Sequence, residues 1–310
     1  MLSWLRDLGR RSYRRLLERE IAGTPTHVAV IQDGNRRYAR AHDEETTSGH
    51  REGAQTTEQL IQWCAELGIE ELTLYAFSTE NFKRPREERE ALFDLIAEKL
   101  RTFADLDEVE AAGVQIHAVG ELDRLPERVR DAIDYAERQT ADHDRFRLNI
   151  ALAYGGRAEL LTAARRVAHR VEAGEIESSD IDIDTIESEL YDGPSHEVDL
   201  IIRTGGAERT SNFLPWRASG NEAAVYFCTP YWPEFNKVDL LRGIRTYESR
   251  RASHRRTRAK RALAVLRTVQ DADLDEARAV LRRLRDAVPE TVEVDAVLDR
   301  PAGETGDRRE

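Results

Sequence analysis

The sequence predicts an α/β protein with a central, mostly parallel six-stranded sheet flanked by helices. Three observations carry that expectation. Six short runs of residues are almost continuously apolar, as strands buried on both faces must be. Stretches of helical periodicity separate them, the alternation that builds parallel sheets. Polar, glycine-bearing turns follow the carboxyl ends of the runs, where open parallel sheets bind ligands. A chain of 310 residues can bury a sizeable core in one large domain with short appendages.

The elements follow in order. Leu2, Leu5, Leu8, Tyr13, Leu16, Leu17 and Ile21 recur at helical spacing, with Arg6, Arg10, Arg11, Arg14, Arg15 and Arg19 between them. They make a basic amphipathic helix over residues 1–24. No continuous apolar run follows its charges, so it is not a secretory signal. Such a helix either lies on an anionic membrane surface or packs on its own domain, and both readings stand at this stage. His27–Ile31 is the first strand and leads through Asp33 into a helix reaching Arg40. A helix through Leu60, Ile61, Trp63, Cys64 and Leu67 precedes the second strand, Leu72–Phe77. Val114–Val119, Leu148–Ala153, Asp199–Ile202 and Ala224–Cys228 supply the other four. After Pro233 the chain is helical and basic through Arg242, Arg250, Arg255 and Arg261, and a second amphipathic pattern runs from Leu263 to Leu284. From about Pro289 the composition is acidic with Gly and Pro, that of a disordered end. The expected divisions are therefore residues 1–24, a domain over 25–251 and a helical extension over 252–310 with a disordered acidic end.

The net charge of −12 repels nucleic acid over most of the surface, so no nucleic-acid partner is expected. Lysine is nearly absent and arginine supplies almost all the positive charge. An acidic, lysine-poor surface suits a high-salt cytoplasm, and a GC-rich genome would give the arginine bias without it. No segment approaches the roughly 20 continuous apolar residues of a bilayer span. Cys64 and Cys228 are too few for a disulfide framework or a zinc site, and each lies in an apolar pattern. Buried packing in a reducing, cytoplasmic setting fits both.

Chemistry concentrates after the strands. The first constellation is Asp33-Gly34-Asn35-Arg36-Arg37, a strand end entering a helix. Free N–H groups at a helix start bind anions, and Gly34 lets a phosphate approach the backbone. Asp33 would repel that phosphate unless a cation intervenes, and magnesium held by carboxylate and phosphate resolves the conflict. Taken alone, Asp33 reads equally well as a simple helix cap. The second constellation, Ser78-Thr79-Glu80-Asn81-Phe82-Lys83-Arg84-Pro85, places a hydroxyl, a carboxamide and cations at another strand end. Turn chemistry accounts for Ser78 and Glu80 but leaves Lys83 and Arg84 unexplained. The third runs from Arg203 through Gly205 and Gly206 to Arg209 and Ser211, with Glu222 downstream as a second carboxylate. Arginine forks match phosphate oxygens, and the glycines let the loop wrap the group. Tyr154-Gly155-Gly156-Arg157 is a further strand-to-helix turn.

Two phosphate pockets and two carboxylates at one sheet edge imply a pair of substrates bearing diphosphates. Here the sequence resembles the cis-prenyltransferases, the family of undecaprenyl diphosphate synthase and dehydrodolichyl diphosphate synthase. HVAVIQDGNRRYAR, GHREG, LTLYAFSTENFKRP, ALAYGGR, DLIIRTGGAERTSNFLPW and NEAAVYFCTPYWPEF carry the resemblance, in family order from about Thr26 to Arg251. The DGNRRYA form is closer to dolichol-type and archaeal members than the bacterial DGNGRWA form. The resemblance implies an undecaprenyl diphosphate synthase-like fold, usually dimeric, enclosing an apolar tunnel. It implies that the enzyme condenses isopentenyl diphosphate onto an allylic diphosphate primer, farnesyl or geranylgeranyl, to make a long cis-polyprenyl diphosphate. Asp33 is then the essential acid working with magnesium; Gly34, Asn35, Arg36 and Arg37 cradle the allylic diphosphate, with His50 of the GH motif nearby. Arg203, Arg209 and Ser211 match isopentenyl diphosphate-binding positions, and Glu222 a magnesium ligand. Ser78, Asn81 and Arg84 match a second active-site cluster, in which Asn81 with Ser78, His50 or the departing diphosphate takes the proton.

The chain departs from the family pattern in three places. Thr46 stands where many members carry an arginine before the GH motif, with Arg36, Arg40 and Arg51 as candidates to compensate. Gln32 replaces a methionine before Asp33, and the tail beyond Arg251 exceeds the bacterial form. Two rival readings differ. A non-catalytic partner subunit on the same fold typically loses the acid and the arginines, all present here. A trans-prenyltransferase needs DDxxD motifs, and no two aspartates are adjacent in this chain.

Overall fold

The computed structural model of the protein describes residues 13–190, 197–218 and 223–268. The chain divides into two compact units, Met1–Tyr247 and Glu248–Glu310. Six strands form one sheet: β1 (His27–Ile31), β2 (Glu71–Tyr75), β3 (Val114–Val119), β4 (Phe146–Ala151), β5 (Leu200–Arg203) and β6 (Ala224–Phe227). Every pairing is parallel and the spatial order is β3-β4-β2-β1-β5-β6. Ile31 stands opposite both Tyr75 and Arg203, and Tyr75 opposite Ala151. The turns after β1, β2, β4 and β5 therefore leave the sheet side by side at one edge.

Helices separate the strands from β1 to β5, but among the described residues between β5 and β6 there is no helix, in contrast to the expected alternation. Residues 13–20 form α1, followed by α2 (Asn35–Ala41), α3 (Thr46–Glu66), α4 (Arg86–Ala104), α5 (Asp107–Ala112), α6 (Glu127–Gln139), α7 (Gly156–Glu172), α8 (Ile183–Leu190) and α9 (Lys237–Thr268). Val28 and Val30 of β1 join Leu72, Leu74, Leu148 and Leu200 in a core against α3 and α4, where Leu60, Cys64 and Phe93 are buried. Ala29 and Ile31 turn to the opposite face, with Ile201, Tyr154 and Phe213. Cys64 and Cys228 are both buried free thiols, and burial pushes both thiol pKa values up.

Four strands begin or end one or two residues from the expected positions: β6 stops at Phe227, one residue short of Cys228, and the other three differ for identifiable reasons. β2 starts at Glu71 because that carboxylate is fully buried yet partnered: Asn149 donates to its Oε1 at 2.6 Å and Arg217 lies 3.6 Å away. β4 starts at Phe146 and ends at Ala151, since Ala153 has φ +48° and turns the chain out of the sheet. β5 extends to Arg203, which pairs with Ile31 in register.

The described part of the N-terminal helix packs on its own domain. Leu17 is fully buried, Glu18 and Glu20 pair with Lys237 and Arg245 at 3.5 and 3.4 Å, and Arg242 lies over the Tyr13 ring. Leu16 stays half exposed. Residues 1–12, the acidic end from Pro289 and most of the second C-terminal amphipathic pattern lie outside the described residues. Among those described, no helix is long and apolar enough to cross a membrane.

Candidate active site

The strand register brings the ends of β1 and β5 together, and with them Asp33 and Arg203. Arg203 is almost fully buried and its guanidinium spends its donors in three directions. Nη2 donates to Asp33 Oδ2 at 2.8 Å, while Nη1 donates to Ser211 Oγ at 2.7 Å and to the Arg209 carbonyl at 2.5 Å. The other Asp33 oxygen accepts from Arg37 Nη2 at 2.9 Å, one helical turn along α2. Arg37 Nη1 also donates to the Gly205 carbonyl at 2.7 Å, so one side chain ties the two loops together. Thr204 completes the clasp: its hydroxyl donates to the Asp33 carbonyl at 2.7 Å. Burial alone would push the Asp33 carboxyl up, but the hydrogen bond from Arg203 and the charge of Arg37 hold it below the usual carboxylate range. Asp33 is an anion at neutral pH.

Gly34 is required at the start of α2. Its φ is +114°, and a Cβ there would sit 2.8 Å from Tyr231 Cδ1.

A second cluster forms where α3 and α4 begin. Glu88, in the first turn of α4, accepts from Arg84 Nη1 at 3.1 Å, lies 3.5 Å from Arg36 Nε and stands 3.9 Å from His50 Nε2. Burial, then the charges of Arg84 and Arg36, pull the His50 pKa down to about 4, so the ring is neutral at physiological pH. His50 Nε2 and Asn35 Oδ1 are buried and without a hydrogen-bond partner. Such atoms carry a desolvation cost unless a ligand or water meets them. Glu88 was not among the residues expected from the sequence, although it organises three that were. Of the arginines suggested as substitutes at Thr46, Arg36 is brought into this cluster, while Arg40 and Arg51 are exposed.

The remaining expected residues take varied positions. Asn81 Oδ1 accepts from the Ser78 N–H at 3.1 Å and closes a capping box on the turn Thr79–Lys83, so its oxygen is engaged locally. Ser211 sits at φ +50° in the loop after β5, and the Arg209 side chain is exposed on that loop. Glu222 lies outside the described residues. Among those described, no three acidic, histidine or cysteine side chains gather as a metal cage.

Asn35 and His50 also border an open-mouthed cavity between α3, α4 and the sheet. Ala54, Ile61, Leu74, Leu92, Leu148 and Ile150 make its walls apolar. Gln32 lies on this wall, and its amide donates to Thr57 Oγ1 at 2.8 Å, which satisfies a polar side chain where the family carries methionine.

An arginine-rich cluster beside an apolar cavity, at the carboxyl edge of a parallel sheet, marks a class of α/β protein suited to substrates with a charged head and a hydrocarbon tail. Comparison with known proteins gives the same class. The prenyltransferase family model, described as undecaprenyl diphosphate synthase, matches residues 31–256. The tritrans,polycis-undecaprenyl-diphosphate synthase (geranylgeranyl-diphosphate specific) of Haloarcula marismortui is 62% identical over 291 residues, 94% of this chain and 96% of that protein. The enzyme of the same name from Halobacterium salinarum is also 62% identical, over 94% of this chain and 97% of its own. The crystal structure of lavandulyl diphosphate synthase from Lavandula x intermedia in complex with dimethylallyl diphosphate is similar, with a TM-score of 0.69 and 35% identity. It covers 72% of this chain and 95% of that one. The chain belongs to the undecaprenyl diphosphate synthase family and is a cis-prenyltransferase.

Proposed function

We propose that this enzyme condenses isopentenyl diphosphate onto geranylgeranyl diphosphate and releases a long-chain tritrans,polycis-polyprenyl diphosphate. The observation that carries the reading is the Asp33 carboxylate held between Arg37 and Arg203, with its chain neighbours Gln32 and Asn35 lining an apolar cavity. The choice of geranylgeranyl over farnesyl primer follows the printed specificity of the 62% identical relatives.

Each residue then has a task. Breaking the allylic C–O bond leaves negative charge on the departing diphosphate. The N–H groups at the start of α2 and the guanidinium groups of Arg36, Arg37 and Arg84 stabilise that charge, with Gly34 and Asn35 shaping the approach. Arg203, Arg209 and Ser211 hold the diphosphate of the incoming unit. Arg203 Nε, buried and without a partner, is a donor left over for that purpose. The departing diphosphate takes the proton whose loss sets the new double bond, with neutral His50 and the amide of Asn81, held by the Ser78 N–H, positioning the groups around it. The cavity shields the allylic cation from water and holds the growing chain.

Magnesium fits this donor set. Asp33 is a hard oxygen ligand with lone pairs to spare beyond its two arginine bonds, and magnesium is ordinarily held by one or two carboxylates plus substrate phosphates. Asp33 with Glu222 would hold it, and when bound it supplies charge neutralisation at the diphosphate. A homodimer, a catalytic domain over residues 25–251, and a cytoplasmic enzyme touching the membrane's inner face through the basic N-terminal segment belong to the same proposal. Light scattering and vesicle sedimentation test the assembly and the membrane contact.

The deciding experiment is incorporation of labelled isopentenyl diphosphate with geranylgeranyl or farnesyl diphosphate, with magnesium and detergent, at low and high salt. A polyprenyl product with geranylgeranyl diphosphate preferred is expected. A folded protein that makes no product at any salt would refute the proposal and favour a non-catalytic partner subunit.

A further inference from the structure

Among the described residues lining the cavity, Glu58 of α3 and Lys99 of α4 are the two that carry full charges, His50 being neutral. Lys99 Nζ donates to Glu58 Oε1 at 2.9 Å, and both side chains are about one-third exposed. Both helices run into the cavity from the polar cluster, where His50 stands 3.9 Å from Glu88. Counting along each axis from that rung, the ion pair lies roughly 12 Å down α3 and roughly 16 Å down α4. Between the two levels the lining is mostly apolar, with Ala54, Leu92, Leu95 and Ile96, and the hydroxyl of Thr57 there is engaged by Gln32 and the Gly53 carbonyl; past the pair come Leu100 and Phe103.

We propose that the Glu58–Lys99 ion pair is a latch across the α3–α4 wall of the cavity and a determinant of product length. The proposal rests on the reading of this cavity as the seat of the growing chain. A chain that reaches this depth meets an ion pair between the helices that hydrocarbon cannot replace. To pass, it must part the carboxylate from the ammonium and lie against both, which is unfavourable for charged groups. Because the pair is partly solvated it is weak enough to open, so it biases the length distribution and does not close the cavity outright. The pair is remote from the arginines at the polar end and takes no part in the bond-forming step.

The test is the product distribution of Glu58→Gln, Lys99→Met, the double variant Glu58→Gln/Lys99→Met and the charge swap Glu58→Lys/Lys99→Glu. All are made in the full chain, and products are sized after dephosphorylation. Both single variants should lengthen the main product by at least one isoprene unit while the rate of the first addition is unchanged. The swap should return the wild-type distribution. Raising KCl screens a partly exposed pair and should lengthen wild-type products in the same sense, with no shift in the double variant. Wild-type lengths in both single variants would overturn the proposal. So would a swap that stays long, or a slower first addition with unaltered length. A wild-type protein that makes no polyprenyl product would instead remove the functional reading, so the two failures are distinguishable.

Discussion

Replacing Arg203 with lysine keeps the charge at the end of β5 and removes only the fork. The guanidinium makes three side-chain hydrogen bonds, to Asp33, Ser211 and the Arg209 carbonyl, through two nitrogens that point apart. A lysine ammonium is a point donor on a narrower stem and can keep one of them in this buried pocket. Losing two charge-assisted bonds at about 1.5 kcal/mol each removes about 3 kcal/mol. At about 1.4 kcal/mol per tenfold, kcat/KM for isopentenyl diphosphate falls about a hundredfold. Asp33 keeps Arg37 and a nearby ammonium, so no buried carboxylate is stranded and Tm drops by about 6 °C at most. Steady-state kinetics with varied isopentenyl diphosphate, beside a thermal melt, provide the assay. A variant within about threefold of wild type, where 3 kcal/mol predicts a hundredfold, would show that charge alone matters at this position and that the fork argument is wrong.

Three further outcomes are expected. Asp33→Ala abolishes turnover with an unchanged circular dichroism spectrum, and it binds inorganic pyrophosphate without magnesium at least as tightly as wild type, because the arginines lose their competing anion; weaker binding by calorimetry would contradict this. The His50 pKa of about 4 in the fold lies below the 6.5 of the free side chain, so the unfolded chain takes the extra proton and stability falls as pH drops from 6.5 toward 4. The swing is about 3 kcal/mol, and denaturant titrations of His50→Gln should lack that component of the slope. Gly34→Ala forces a side chain to φ +114° against Tyr231 and costs about 2 kcal/mol or more, read from the urea midpoint; an unshifted midpoint would mean the loop relaxes freely.

The fold was legible because its strands are buried on both faces and so read as uninterrupted apolar runs. β1 and β3 fall where the residues place them, and the errors elsewhere come from tertiary partners. Glu71 looks like a turn residue until Asn149 and Arg217 are folded against it. The grouping of Asp33, Arg37 and Arg203 was legible because each follows a strand within a few residues, and the structure brings the three together. Glu88 was not legible. An acid in the first turn of a helix is what the helix dipole favours anyway, so its sequence signal is indistinguishable from capping. Its significance lies in Arg36 and His50, which reach it from other elements. Asn81 shows the converse. The Ser-x-x-Asn spacing of a capping box is present in the sequence, and the same two residues match the family's second active-site cluster, so one pattern carries both meanings.

The pairing of β1 with β5 has a consequence for how the protein comes into being. Asp33 and Arg203 lie 170 residues apart along the chain, although their side chains bond at 2.8 Å. A ribosome making the chain from its amino end finishes the first loop long before the second exists. In that interval the first strand can pair with β2, but the acid has the Arg37 hydrogen bond without the one from Arg203. The anion site therefore assembles in one late step, when the fifth strand docks beside the first. Nascent chains ending short of that strand carry the Asp-Gly-Asn turn without the buried guanidinium that completes it.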